Sequence, residues 1–235
     1  MTMTRFSLTS TAAAALLALS LPAGAAPFQA YYQDASAGSH GAYGASSFSS
    51  ASFTGTGGSA SAGAFALKGD LNGAGVEDFI AWCADIAHNL SPLSKYDIAA
   101  LPVVGQMATD LKALVNTVYD DVVANLGTAE FSAGFQLAVW EILNESGGSY
   151  DVASGSFAVT GGSAAAKAKA NEFLANLDYS APVKYNITYL QSQADPKTQG
   201  LVTVSPVPLP AAGLLLFGAL GGLGMIARRR KSAEA

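Results

Sequence analysis

Apolar side chains recur three and four positions apart at Met107, Leu111, Leu114, Val115, Val118, Val122 and Leu126. That spacing lines one face of an α-helix, and Gly127 supplies its stop. Thr128 stands where a second helix would be capped, and Phe131, Phe135, Ala138, Val139 and Ile142 form its buried stripe up to the Gly147-Gly148 break. A third helix is predicted over residues 163–177, after a short strand at residues 157–160. Elsewhere the period is two. Phe79, Ala81, Cys83 and Asp85 alternate with Ile80, Trp82, Ala84 and Ile86, which predicts a strand over residues 78–86 behind the turn-rich residues 69–75. Two more strand-like runs close the chain, residues 183–190 with alternating Tyr185, Ile187 and Tyr189, and residues 200–204.

Strands, then helices, then strands describe an α+β fold: an antiparallel β-sheet or sandwich with an inserted helical segment, whose early and late strands can pair. Residues 26–66 are rich in Gly, Ser and Ala with aromatics at Tyr43, Phe48, Phe53 and Phe65. They read either as a linker or as two or three short strands turning at residues 55–58. Residues 67–204 form the α+β body, and no internal repeat is visible.

Both ends differ from this body. Arg5, an apolar run over residues 12–21 and the small-residue exit Pro22-Ala23-Gly24-Ala25 make residues 1–25 a signal peptide cut after Ala25. At the other end, residues 205–235 place a proline-rich stretch before an uncharged run, residues 211–227, and then Arg228, Arg229, Arg230 and Lys231. As a helix the run spans about 25 Å, enough for a single transmembrane helix whose cations stay cytoplasmic and leave the body outside. Val207, Pro208, Leu209, Pro210 and Ala211, followed by this helix and basic tip, resemble the VPLPA variant of PEP-CTERM sorting signals. The resemblance implies recognition by an exosortase-type membrane protease, beside the signal peptidase acting at the N-terminus.

Half of the 235 residues are apolar and only 12% are charged, with a net charge of −5. Residues 26–206 hold sixteen acids, seven lysines and no arginine. So acidic a body excludes nucleic acid and anionic lipid surfaces as partners.

The chain has one cysteine, Cys83, which can form no disulfide within the chain. Three readings follow from the residue alone: an inert thiol buried among Phe79, Ile80 and Trp82, a redox or intermolecular disulfide role, or a reactive centre. Trp82-Cys83-Ala84-Asp85, Phe135-Gln136-Leu137-Ala138-Val139-Trp140 and Thr198-Gln199-Gly200-Leu201-Val202 resemble three successive motifs of thioester domains, modules of surface adhesins. The resemblance implies an internal thioester with Cys83 as sulfur donor and Gln199 as acyl donor. Gln136, Trp140 and Asp85 are implied as supporting residues. Ala84 stands where that family has a larger aliphatic residue, and Gly200 is a weak strand former. Such a bond needs the sulfur held against the carboxamide carbon in a water-excluded pocket, with ammonia able to leave.

Other constellations carry less. Cys83 and His88 lie five apart and His40 sits in the Gly-rich segment, but the sequence shows no third partner for a Cys-His hydrolase. Asp70, Asn72, Glu77 and Asp78 alternate as calcium ligands do, yet Ala74 holds the central position, so a turn is the reading. No metal or cofactor is expected. Gln136, Trp140 and Leu143 share a helical face, where core and network roles are ordinary. The sequence thus points to a non-enzymatic exported protein of the cell surface or extracellular matrix, acting in adhesion to a surface or exopolysaccharide ligand. The alternative is a secreted enzyme acting on exopolysaccharide, which would need two facing carboxylates in one cleft.

Overall fold

A computed structural model of the chain describes residues 61–207, apart from 72–74, 91–94, 104, 146–148 and 194–196, together with the backbone of five short strands before them. The signal peptide, residues 208–235 with the sorting tail and its helix, His40, Asn72 and the Gly147-Gly148 break lie outside the described residues. Among those described, no helix is long and apolar enough to cross a membrane.

Strands β1 (Phe28–Gln29), β2 (Tyr31–Tyr32), β3 (Ala42–Tyr43), β4 (Ala51–Thr54) and β5 (Gly58–Ala60) precede β6 (Ala64–Gly69), β7 (Glu77–Cys83) and β8 (Lys95–Ala99). Helices α1 (Gln106–Ala124) and α2 (Ala129–Asn144) follow, then β9 (Ala158–Val159), α3 (Ala164–Ala175), β10 (Tyr185–Ser192) and β11 (Leu201–Pro206). The main sheet runs β1-β8-β10-β11-β7-β6-β2, with β3 also on β6, and every pairing is antiparallel. A small sheet, β5-β4-β9, stands apart. The fold is α+β with an antiparallel sheet, as the alternation of periods predicts. The Gly-rich segment contributes strands to it, and β6 runs across residue 66.

Helix α2 has almost no polar face because it is enclosed, with Phe135, Leu137, Ala138, Trp140 and Ile142 all buried. Its ring Phe135 meets Trp82 of β7 at 4.9 Å between centroids, and Tyr119 of α1 meets the same tryptophan at 5.3 Å. These edge-on aromatic contacts fix helix against sheet in a non-slippery geometry. Against α3, Gly134 lets the two helices close: a Cβ there would stand 3.2 Å from the Ala166 carbonyl oxygen. The facing positions Ala166 and Ala170 are equally small and fully buried.

Polar side chains fasten the layers. Asn116 of α1 accepts from the main-chain N–H groups of Lys184 and Tyr185 at 2.7 and 3.0 Å, and Ser132 of α2 accepts from Ala64 at 2.9 Å. Buried Asp110 is satisfied by Gln106 Nε2 and the hydroxyls of Tyr150 and Tyr179.

Two local expectations differ. Thr128 does sit at the start of α2, but its hydroxyl donates back to the Asn125 carbonyl at 2.9 Å and does not cap the helix; the side chain that caps is Ser163, which accepts from Ala166 at the start of α3. Strand β8, which no period announced, slots between β1 and β10 with fully buried Tyr96 as its anchor. Replacing Phe135 with alanine empties the centre of the Trp82 and Tyr119 contacts, so denaturant unfolding is expected to show a loss of about 3 to 5 kcal/mol.

Candidate functional site

Cys83 ends β7 and pairs in register with Leu201, the first residue of β11. Gln199 therefore lies two positions before β11, beside the cysteine strand, and not inside the last strand as the motif suggests. The Ala84 N–H donates to the Gly200 carbonyl at 2.9 Å, and the Gln199 N–H donates to the Asn89 carbonyl at 3.1 Å. Tyr96 of β8 adds a hydroxyl bond of 3.2 Å to the Gln199 carbonyl. Three separate segments thus hold the Gln199 main chain against the end of β7.

Gln136 of α2 reaches the same point from the helical layer. Its Oε1 accepts from the Cys83 N–H at 2.8 Å, and its Nε2 donates to the Cys83 carbonyl at 2.8 Å. A fully buried carboxamide thereby replaces the ladder partner that Cys83 lacks on that side. A carboxamide offers an acceptor and a donor side by side on one planar group, which matches the N–H and C=O that Cys83 presents.

The side chains of Cys83 and Gln199 meet at one oxygen. The thiol donates to the Asp85 carbonyl at 3.1 Å, and Gln199 Nε2 donates to that same carbonyl at 3.4 Å and to the His88 carbonyl at 3.1 Å. Gln199 Oε1 is buried and has no hydrogen-bond partner among the described residues. Burial pushes the Cys83 thiol far above its ordinary range; hydrogen bonds from the Trp140 indole, the Asp85 main chain and the Gln199 carboxamide oppose this, while the Asp85 charge adds to it. Cys83 is 1% exposed and free of any disulfide. Such a thiol ionises with difficulty, and its nearest partners are the groups inside the pocket.

Gly200 has a steric reason to be glycine. A Cβ there would stand 2.6 Å from the Tyr189 hydroxyl and 3.2 Å from its ring, so the hydroxyl end of this β10 tyrosine closes over the residue. The small residue that weakens a strand in general is here the gap into which a covering ring fits.

Asp85 and His88, in the loop after β7, are hydrogen-bonded at 2.6 Å between Oδ2 and Nδ1, while Asp85 Oδ1 accepts from Ala87 at 3.0 Å. The sequence offers Cys83 and His88 without an orienting third group; the structure supplies Asp85. A second acidic group sits on the far side of α2. Glu145 accepts from Ser156 and Phe157, and Glu141 Oε1 accepts from the Asp151 N–H at 2.8 Å. These carboxylates tie down the loop before β9, and among the described residues no cluster of acids, histidines or cysteine is arranged for a metal.

Comparison with protein-family models finds no match, and neither does comparison with curated proteins. Among solved structures, the chain is similar to the N-terminal domain of the Streptococcus pyogenes pilus tip adhesin Cpa, at 15% identity and TM-score 0.43 over 77% of this chain and 94% of that one. It is also similar to the N-terminal thioester domain of a surface protein from Clostridium perfringens, at 13% identity and TM-score 0.40 over 61% and 89% of the two chains. A third is the N-terminal thioester domain of the fibronectin-binding protein SfbI from Streptococcus pyogenes, at 18% identity and TM-score 0.39 over 61% and 87%.

Two outcomes follow from this geometry. Gln136→Ala orphans a buried N–H and a buried carbonyl at Cys83, so chemical denaturation is expected to show a loss of about 2 to 5 kcal/mol. The Glu141 carboxyl, pushed up to about 7 chiefly by burial and then by its neighbours Glu145 and Asp151, holds its proton in the folded state when the unfolded chain has already released it. Stability should therefore fall as pH rises from the ordinary carboxylate range through 7, and Glu141→Gln should flatten that slope in urea titrations run across the interval.

Proposed function

We propose that this chain is an exported surface or extracellular-matrix protein whose domain adheres through an internal thioester between Cys83 Sγ and Gln199 Cδ. On this reading, signal peptidase removes residues 1–25, the tail helix holds the body outside the inner membrane, and an exosortase-type protease acts at Val207-Pro208-Leu209-Pro210-Ala211. The role is binding without turnover, to a surface or exopolysaccharide-matrix ligand presenting a nucleophile.

The observation that carries the reading is the shared acceptor: the Cys83 thiol and the Gln199 amide nitrogen both donate to the Asp85 carbonyl inside one buried pocket. Sulfur adds to Gln199 Cδ, the carbon–nitrogen bond breaks, and the thiol proton leaves with the amide nitrogen as ammonia. The orphaned Gln199 Oε1 favours this exchange. An amide oxygen buried without a donor costs about 1–3 kcal/mol, and a thioester oxygen is a weaker acceptor that loses less. Trp140 and Tyr189 wall the pocket, so water reaches the acyl carbon poorly, and a ligand nucleophile brought by binding has the advantage.

Intact mass of the exported protein tests both halves. The expected species begins at Ala26 and is lighter than its sequence by one ammonia, with no thiol labelled when it is denatured in alkylating reagent. Methylamine should restore a labelled Cys83 and leave a methylamide on Gln199, and Cys83→Ala or Gln199→Ala should each abolish the deficit. A full-mass body whose thiol labels on unfolding would leave Cys83 as an inert core residue.

A further inference from the structure

We propose that the Asp85–His88 pair is the proton-transfer element that opens the thioester, with His88 as general base toward the incoming nucleophile and Asp85 as the group that orients it; this rests on the Cys83–Gln199 reading above.

The path of the nucleophile is set by reversibility. Opening the thioester with ammonia is the reverse of forming it, so the attacking nitrogen passes through the place that Gln199 Nε2 now holds. That nitrogen donates to the carbonyls of Asp85 and His88, at 3.4 and 3.1 Å. An incoming amine thus arrives with its N–H groups turned toward the two residues that carry the acid–base pair. Those residues stand at the rim of the pocket: 38% of the His88 side chain and 35% of the Asp85 side chain remain open, against 1% for Cys83. The imidazole is thus open to solvent where the thiol is not.

The pair is built for one direction of proton flow. Asp85 Oδ2 takes the His88 Nδ1–H at 2.6 Å, leaving Nε2 as the acceptor, and Asp85 is itself held by the Ala87 N–H at 3.0 Å. A carboxylate on the far nitrogen stabilises the imidazolium when it forms. The other groups that feel the Asp85 charge are the Cys83 thiol and the Tyr189 hydroxyl.

In the step itself the amine nitrogen adds to Gln199 Cδ and gives one proton to His88 Nε2. The carbon–sulfur bond then breaks, and the imidazolium returns that proton to sulfur. The products are an N-substituted Gln199 amide and a neutral Cys83 thiol, with nothing oxidised or reduced. Return of the proton matters because a thiolate is strongly disfavoured in this dry pocket.

The test uses the exported protein and its His88→Gln and Asp85→Asn variants, incubated until the mass is constant, and then follows methylamine addition by intact mass. All three are expected to reach the ammonia deficit, the variants more slowly, since the main-chain carbonyls that position Gln199 are unchanged. His88→Gln should open about a hundredfold more slowly. Free imidazole in the buffer should restore part of the His88→Gln rate, while Asp85→Asn should fall between the two. A wild-type rate in a deficit-bearing His88→Gln protein would overturn the proposal while sparing the thioester. Loss of the deficit in both variants even after prolonged incubation would also overturn it, because the pair would then be needed for the bond to exist and not for the rate of its exchange. A wild-type protein without the deficit would overturn the thioester and this proposal together.

Discussion

The two hydrogen bonds from Gln136 to the main chain of Cys83 are the constraint on which the rest of the site depends. Together with the bonds of Asn116 and Ser132, they fix the helical layer and the sheet in register by polar geometry, where the surrounding contacts are mostly apolar and tolerant of small sliding. Aromatic packing of Trp82 with Phe135 and Tyr119 sets the distance between layers. The carboxamide sets the position along the strand. Because both partners are buried, a shift of even one residue would leave a donor and an acceptor stranded away from water.

That register has a second effect on the loop after β7. With Cys83 fixed, Asp85 and His88 turn back over the β11 side, where their carbonyls receive the Gln199 amide. The opposite wall comes from β10, whose Tyr189 covers Gly200. The end of β7 with its loop, helix α2, strand β10 and the residues before β11 therefore converge around Cys83 and Gln199. The acidic character of the surrounding surface plays little part at this centre, since the groups that meet there are neutral, apart from the rim pair.

What the residues disclose and what they hide divide along physical lines. Helices α1 and α2 and strand β7 follow from periodicity because their apolar faces are long and unbroken. Strand β8 escapes because a single ring, Tyr96, carries its burial, while Lys95, Asp97 and Ile98 give no clean alternation. Asp110 and Glu141 are hidden for the opposite reason: a carboxylate on a helix ordinarily marks the wet face, and only tertiary donors such as Tyr150 and the Asp151 N–H make burial tolerable. At the site, the motif places Cys83, Gln136, Trp140 and Gln199 in one neighbourhood. It does not reveal that Gln136 acts on the cysteine backbone, that Gly200 is a steric gap, or that His88 finds its partner three residues upstream, because each depends on how a loop turns.

The meeting of Asp85 and Gln199 across 114 residues of chain has a consequence for timing. Strand β11 is the last of the described strands to be made, and until it docks beside β7 the side chains of Cys83 and Gln199 do not meet. The pocket comes into existence only when the domain closes on itself, so whatever chemistry these two side chains carry belongs to the folded chain alone.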